Sequence, residues 1–309
     1  MHRPDHSGRS EQPRGPEHCG LIYSIALLAL IGACGGITGG MFGVGGSVVM
    51  IPALNEALGP NQHLYQAACM IVNVFVAGPA ILQHHRAGAI DRDLVVRLIP
   101  LTAVAMLAGV GISELPVFAG PGEAYLRGIF GLFLILVSLQ ELRHAAFHVL
   151  HDTVTVEHEQ WEPSTKVMKQ NSVAPHPAWR NVALVALPTG LLGGLLGVGG
   201  GLVAVPLQHR WLRIPIRTAI ANSAGVIVVT SLVGAVAKNL AYMRDTGGSL
   251  KPIGLALILI PAAMFGSTWG SRWVHRLPVR WIKVGFFLLM LAAALRLVWK
   301  AFGPPLSKV

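Results

Sequence analysis

Long apolar runs alternate with short polar breaks along the chain, and that alternation predicts its elements. Windows of about 19 residues place apolar segments near Leu21–Phe42, Ala67–Gln83, Leu94–Ser113 and Ala124–Leu139. A second set lies near Val182–Leu196, Ala219–Leu240, Ile253–Ser271 and Trp281–Phe302. A helix needs about 20 apolar residues to cross the hydrocarbon of a bilayer, so each run predicts a membrane helix. Trp179, Trp211, Trp273, Trp281 and Trp299 lie at or near segment ends, where an aromatic belt belongs. The predicted fold is an all-α polytopic membrane protein with about eight transmembrane helices.

Composition excludes a soluble alternative. Of 309 residues, 53% are hydrophobic and 12% charged, with a mean hydropathy of +0.58. Soluble domains carry roughly 25% charged residues, so a water-facing surface could not be covered. The polar residues 1–20 read as a disordered tail, 141–180 as a polar linker, and 303–309 as a C-terminal tail. The membrane repeats then occupy 21–140 and 181–302.

The two sets of runs are copies. Gly39-Gly40-Met41-Phe42-Gly43-Val44-Gly45-Gly46 matches Gly193-Gly194-Leu195-Leu196-Gly197-Val198-Gly199-Gly200 at an offset of 154. Pro52 falls on Pro206 and Asp91 on Asp245 at that offset; Pro100 then matches Pro261 after a seven-residue insertion, and Gly109 follows onto Gly270. Internal duplication is a secondary-transporter signature, with the site at the interface of the halves.

Lys plus Arg number 24 against 14 Asp plus Glu, a net charge of +10. In a soluble protein that excess would suggest nucleic acid; here the basic residues flank apolar runs, where they orient helices and meet anionic lipid. Arg86, Arg92 and Arg97 flank one loop, while Asn55–Gln66 has no Lys or Arg. The positive-inside rule then expects the N-terminus and the linker in the cytoplasm. The second half breaks the pattern, because Arg210, Arg213 and Arg217 lie in the loop equivalent to the uncharged one. Four full spans per repeat make the halves parallel. A glycine motif that breaks a helix and adds a crossing makes them inverted, and both topologies stand at this point.

The glycine motifs are the sharpest chemical feature. Glycines cost about 1 kcal/mol each in a helix interior, so Gly43, Gly45 and Gly46, with Gly197, Gly199 and Gly200, predict a break followed by a short apolar stretch. Freed N–H groups and the positive end of the next half-helix make such a break an anion site. The competing reading is close packing through Gly-x-x-x-Gly, a spacing that Gly39–Gly43 and Gly193–Gly197 possess. All fourteen acids lie in tails, loops or span ends, which argues against a cation relay. Asn73, Asn222, Ser223, Thr230, Ser231, Lys238 and Asn239 are the polar residues within spans, with His84 and His85 at a span end. Lys238 aligns with His84 at the offset of 154, which predicts a symmetric pair of cationic groups. Cys19, Cys34 and Cys69 form no disulfide framework, and the last two are expected as buried thiols.

These paired Gly-Gly-x-x-Gly-Val-Gly-Gly segments, each followed by an apolar stretch and Pro, resemble the TauE/SafE family of sulfite and sulfonate exporters. His84-x-Arg86-x-Gly88-x-Ile90-Asp91, Ala221-Asn222-Ser223 and Thr230-Ser231-x-x-Gly234 carry the same resemblance. It implies a multi-pass inner-membrane permease for small sulfur oxyanions or organosulfonates. The first half departs from the pattern, with Ala68-Cys69 and Asn73 where hydroxyl residues are expected.

The expected function is therefore a secondary transporter for a small anion, working by alternating access. Gly43, Gly45, Gly46, Gly197, Gly199 and Gly200 bind through backbone N–H groups, Asn222, Ser223, Thr230 and Ser231 add hydrogen bonds, and Lys238 and His84 add charge. No cofactor is expected, and the partners are the anion, the bilayer and at most further copies of the chain. No Ser-His-Asp, His-Glu-x-x-His or phosphate-loop pattern suggests an enzyme. The alternative is a divalent-metal transporter. His144, His148 and His151 would share one helical face, and three imidazoles could hold Zn²⁺ or Cu²⁺, with His158 or Glu157 completing the shell.

Overall fold

The computed structural model describes residues 16–86, 88–151, 178–273 and 279–302. Among the described residues the chain is all helical, with no strand. The first half forms α1 (Pro16–Phe42), α2 (Ser47–Ala57), α3 (Gln62–Arg86), α4 (Arg92–Ser113) and α5 (Glu123–His151). The second forms α6 (Trp179–Leu196), α7 (Gly201–Trp211), α8 (Ile216–Asp245), α9 (Lys251–Trp273) and α10 (Val279–Phe302). Eight of these are long and apolar enough to cross a bilayer, as the apolar runs predict. The protein is a multi-pass membrane protein. Large side chains such as Val104, Phe265 and Leu289 stand exposed on the outside, where lipid covers them.

The two 11-residue helices, α2 and α7, are what the run pattern did not resolve. At about 16 Å each they cannot span. Both follow a glycine break, and in both the chain turns back. A Cβ on Gly39 would meet Gly46, and one on Gly35 would meet Met50, so α2 retraces α1. Ser47 then pairs with Asn73 and Asn55 with Gln62, so α3 reverses once more. The second half repeats this: Gly193 lies against Gly200, and Thr230 bonds Gly199. Each half is thus a hairpin followed by three end-to-end helices.

An odd number of end-to-end helices inverts the second half. Contacts of His63 with Lys238, Ala67 with Asn239 and Met70 with Gly234 make α3 and α8 antiparallel. Gly131 against Ala294 and Gly128 against Phe302 make α5 and α10 antiparallel too. The hairpins therefore enter from opposite faces. One, the terminal face, carries the start of α1 and the end of α10; the other, the linker face, carries the end of α5 and the start of α6. The expectation that the start of the first span and the linker share a side is corrected here, because the return pass of α2 brings the chain back to the face from which α1 entered. The same inversion puts Arg210, Arg213 and Arg217 on the linker face with Arg86, Arg92 and Arg97.

Packing uses one set of glycines and breaking uses another. On α1, Cβ atoms at Gly32, Gly36 and Gly40 would lie 2.8, 2.1 and 2.4 Å from carbonyl oxygens of Leu259, Ala263 and Ser267 on α9. The equivalent positions Gly190 and Gly194 on α6 meet Thr102 and Met106 on α4 at 2.2 Å each. Small residues let these backbones touch. Gly109 faces Leu191 and Gly270 faces Ile37, the register of the sequence match. Cys69 is buried in the core, but Cys34 is exposed on α1, against expectation; an apolar run does not say which of its faces meets lipid.

Candidate functional site

At the hairpin tips Gly43, Gly45, Gly197, Gly199 and Gly200 take positive φ, from +62° to +87°, backbone that only glycine adopts without strain. Gly46 does not; its φ is −75°. The tips meet at the crossing of α3 and α8. A Cβ on Gly201 would stand 2.8 Å from the carbonyls of both Gly43 and Val44. Neither α2 nor α7 has a side-chain cap on its N-cap residue, so both half-helices point their positive ends into this centre.

The two tips are satisfied differently. At the first, Asn73 Oδ1 accepts from the Ser47 backbone N–H at 3.1 Å and Asn73 Nδ2 donates to Ser47 Oγ at 2.9 Å. Ser223 Oγ donates to the Gly43 carbonyl at 2.6 Å. At the second, Thr230 Oγ1 donates to the Gly199 carbonyl at 3.0 Å, and the neighbouring hydroxyls are left over. Ser231 Oγ and Thr189 Oγ1 are buried without a hydrogen-bond partner. They flank Gly199 and Gly200: built Cβ atoms there would fall 2.5 Å from Ser231 Oγ and 2.9 Å from the Thr189 methyl. Buried polar atoms without partners cost about 1–3 kcal/mol each, and both of these belong to residues packed against the uncapped start of α7. A small cavity at the first tip, lined by residues including Gly39, Gly45 and Ala224, holds about 10 Å³, room for one water.

Other expected site residues lie elsewhere. Asn222 sits toward the linker face, where its Oδ1 accepts from the Asp91 backbone N–H at 2.8 Å. His84 is in the last turn of α3, at that same face. Lys238 is near the terminal face, so the symmetric cationic pair is split between opposite ends of the molecule. Lys238 is also already neutralised. Its Nζ donates to Ser113 Oγ at 2.7 Å, to Glu114 Oε1, and lies 3.1 Å from His63 Nδ1. Burial alone would raise the Glu114 carboxyl, but hydrogen bonds from His63 and Lys238 and the Lys238 charge outweigh it. They hold Glu114 at about 2, below the ordinary 4.5. This cluster ties α3, α4 and α8 together at one end.

His144, His148 and His151 belong to the last turns of α5, whose side chains lie outside the described residues, as do His158 and Glu157. Among the described residues no group of three His, Cys, Asp or Glu could hold a metal. Sequence reasoning missed Thr189 and the His63–Glu114 partnership. Thr189 carried a signal, a hydroxyl eight residues before the end of the Gly194-x-x-Gly197 of the motif; the His63–Glu114–Lys238 cluster carried none, Glu114 being 51 residues from His63 and 124 from Lys238 along the chain.

Eight apolar helices built around two opposed broken hairpins define a polytopic membrane transporter. Residues 28–297 match the family described as sulfite exporter TauE/SafE, and the chain belongs to that family. It is similar to the probable membrane transporter protein MamO of Paramagnetospirillum magneticum, 28% identical over 90% of this chain and 45% of that protein. It is also similar to the protein of that name from Magnetospirillum gryphiswaldense, at 29% over 90% and 45%. The probable membrane transporter protein YunE of Bacillus subtilis is 24% identical over 90% of this chain and 98% of its own length. The chain thus spans about half the length of the MamO relatives. No solved structure matches it.

Proposed function

We propose that the protein is a secondary transporter for a small oxyanion, sulfite or an organosulfonate, working by alternating access between inverted halves and catalysing no reaction. The observation that carries this reading is the second tip: an uncapped helix start at Gly200–Gly201 beside the unpaired buried hydroxyls of Ser231 and Thr189. The helix start and the Ser231 hydroxyl supply donors at the tip, the unpaired Thr189 hydroxyl lies on a residue packed against Gly200, and all fourteen acids lie in tails, loops or span ends. The family's exporter description supports the substrate class. Binding is hydrogen bonding plus the partial charge of two half-helices, because Lys238 is held by Glu114. The space at the tips is too small for the anion, so one hairpin must withdraw for it to enter. With arginine concentrated on the linker face, that face is cytoplasmic.

Purified protein in liposomes tests this directly. Labelled sulfite should leave saturably, competed by sulfonates, while chloride and Zn²⁺ are retained. Gly199→Leu forces a side chain into positive φ and onto Ser231 Oγ, and should abolish flux in a protein that still folds. Sulfite flux that survives both Gly199→Leu and Gly45→Leu overturns the tip site.

A further inference from the structure

A second cavity lies away from the tips, at the terminal face. It measures about 240 Å³ and opens between the end of α2, the start of α5 and the last turns of α10, lined by Asn55, Glu56, Pro60, Arg127, Leu297 and Lys300. Polar atoms in and behind its wall are unsatisfied. Asn55 Oδ1 and Arg127 Nε are buried without partners, and so is Nε2 of Gln62, whose Oε1 accepts from Asn55 at 3.0 Å.

The charges do not balance either. Glu56 is shared by Lys300 at 2.7 Å and Arg296 at 2.9 Å, while Glu123, one turn before Arg127 on α5, accepts from the Gln62 backbone N–H at 3.2 Å, and among the described residues Arg127 forms no ion pair. Orientation by positive charge explains arginines on the linker face, but three cations around one cavity on the opposite face need another reason. At the same ends of α5 and α10, Tyr125, Trp299 and Phe302 are more than half exposed, and the Tyr125 and Phe302 rings lie 6.3 Å apart. Exposed aromatic rings at helix ends mark the headgroup level of a bilayer.

We propose that this cavity binds a phosphate-type oxyanion, supplied by the headgroup of an anionic phospholipid. Arg127 offers its planar fork to the phosphate oxygens, and Lys300 adds a point charge. Asn55 Oδ1 is an acceptor, so it selects a headgroup with a hydroxyl to donate, a glycerol rather than a choline. The acyl chains then lie along the exposed aromatic rings.

Native mass spectrometry of the detergent-purified protein, titrated with phosphatidylglycerol, phosphatidylcholine or inorganic phosphate, tests it. The wild type should hold one phosphatidylglycerol that Arg127→Gln weakens roughly tenfold, the loss of one charge-assisted contact. Lys300→Gln should weaken it as well, and Lys300 is 41% exposed, so that variant tests the site even where Arg127→Gln fails to fold. Arg272→Gln, on the linker face, should leave this lipid bound. Phosphatidylcholine should bind no better to the wild type than to the variants. Inorganic phosphate that displaces the lipid from the wild type but not from Arg127→Gln supports the oxyanion site. Equal phosphatidylglycerol affinity in wild type, Arg127→Gln and Lys300→Gln overturns it, as does equal binding of the two lipids.

Discussion

The Lys238–Glu114 pair at the terminal face gives a prediction whose size follows from exposure. Lys238 is 1% exposed and Glu114 20%, so the two partners tolerate abandonment unequally. Glu114→Gln strands a buried ammonium on Ser113 and His63. Breaking a buried pair in this way costs about 3–5 kcal/mol, and the partial exposure of Glu114 puts this case near the lower figure. Lys238→Met strands a carboxylate that can reach water, at about half that cost. The double variant strands nothing, so it should be more stable than the sum of the singles by about 2 kcal/mol. At roughly 2–4 °C per kcal/mol, Glu114→Gln should lower the Tm by about 6–12 °C, read from tryptophan fluorescence in detergent. The pH dependence has a definite sign. A carboxylate held at about 2 rather than 4.5 contributes stability that is complete above pH 4.5 and is lost as pH falls toward 2. The Tm gap between wild type and Glu114→Gln should therefore stay level from pH 7 to about 5 and close below. Additive single effects, or a gap unchanged down to pH 2, would refute the pairing as a source of stability.

Two further outcomes follow from the inverted fold. In a cysteine-free background, Thr246→Cys should react with a membrane-impermeant maleimide added to intact cells, and Arg92→Cys only after permeabilisation. Labelling of both from the same side rejects the antiparallel arrangement of α3 and α8. Gly36→Ala should destabilise the protein by about 1–3 kcal/mol, since the added Cβ lies 2.1 Å from the Ala263 carbonyl. Gly78→Ala, with open space around it, should be harmless, and equal Tm values for the two would remove the α1–α9 contact as a packing constraint.

The spans were legible because a membrane helix needs a run of apolar residues, which hydropathy measures directly. The breaks were legible because glycine clusters are costly in a helix. Direction was not. A return pass of 11 residues is shorter than the window that finds spans, so Ser47–Ala57 merged with the loop beyond it and its reversal of the chain did not enter the orientation. The arginine pattern of the second half recorded the inversion all along, since Arg210 and Arg213 belong with Arg86 and Arg92 only if the halves oppose one another. Aligning Lys238 with His84 identified equivalent positions, yet equivalence under inversion means opposite faces rather than one site. Asn73 stood out in the sequence as a departure from the family pattern, and the reason lies in its two hydrogen bonds to Ser47, a contact 26 residues distant.

Departure from symmetry is also where the proposed site gains its character. At the offset of 154, Asn73 corresponds to Ile227 and Ser47 to Gly201. The first tip thus carries the amide and hydroxyl that satisfy its own helix start, and the second has an isoleucine and a glycine in their place. Removing the internal acceptor leaves the α7 start and the hydroxyls of Ser231 and Thr189 in need of an external one. Asn73 still reaches across, its Nδ2 lying 3.1 Å from where a Cβ on Gly199 would stand. The reading therefore assigns one anion to each chain, held at the second tip. Two identical tips would either both satisfy themselves and bind nothing, or both demand an anion and crowd two like charges together where the tips meet.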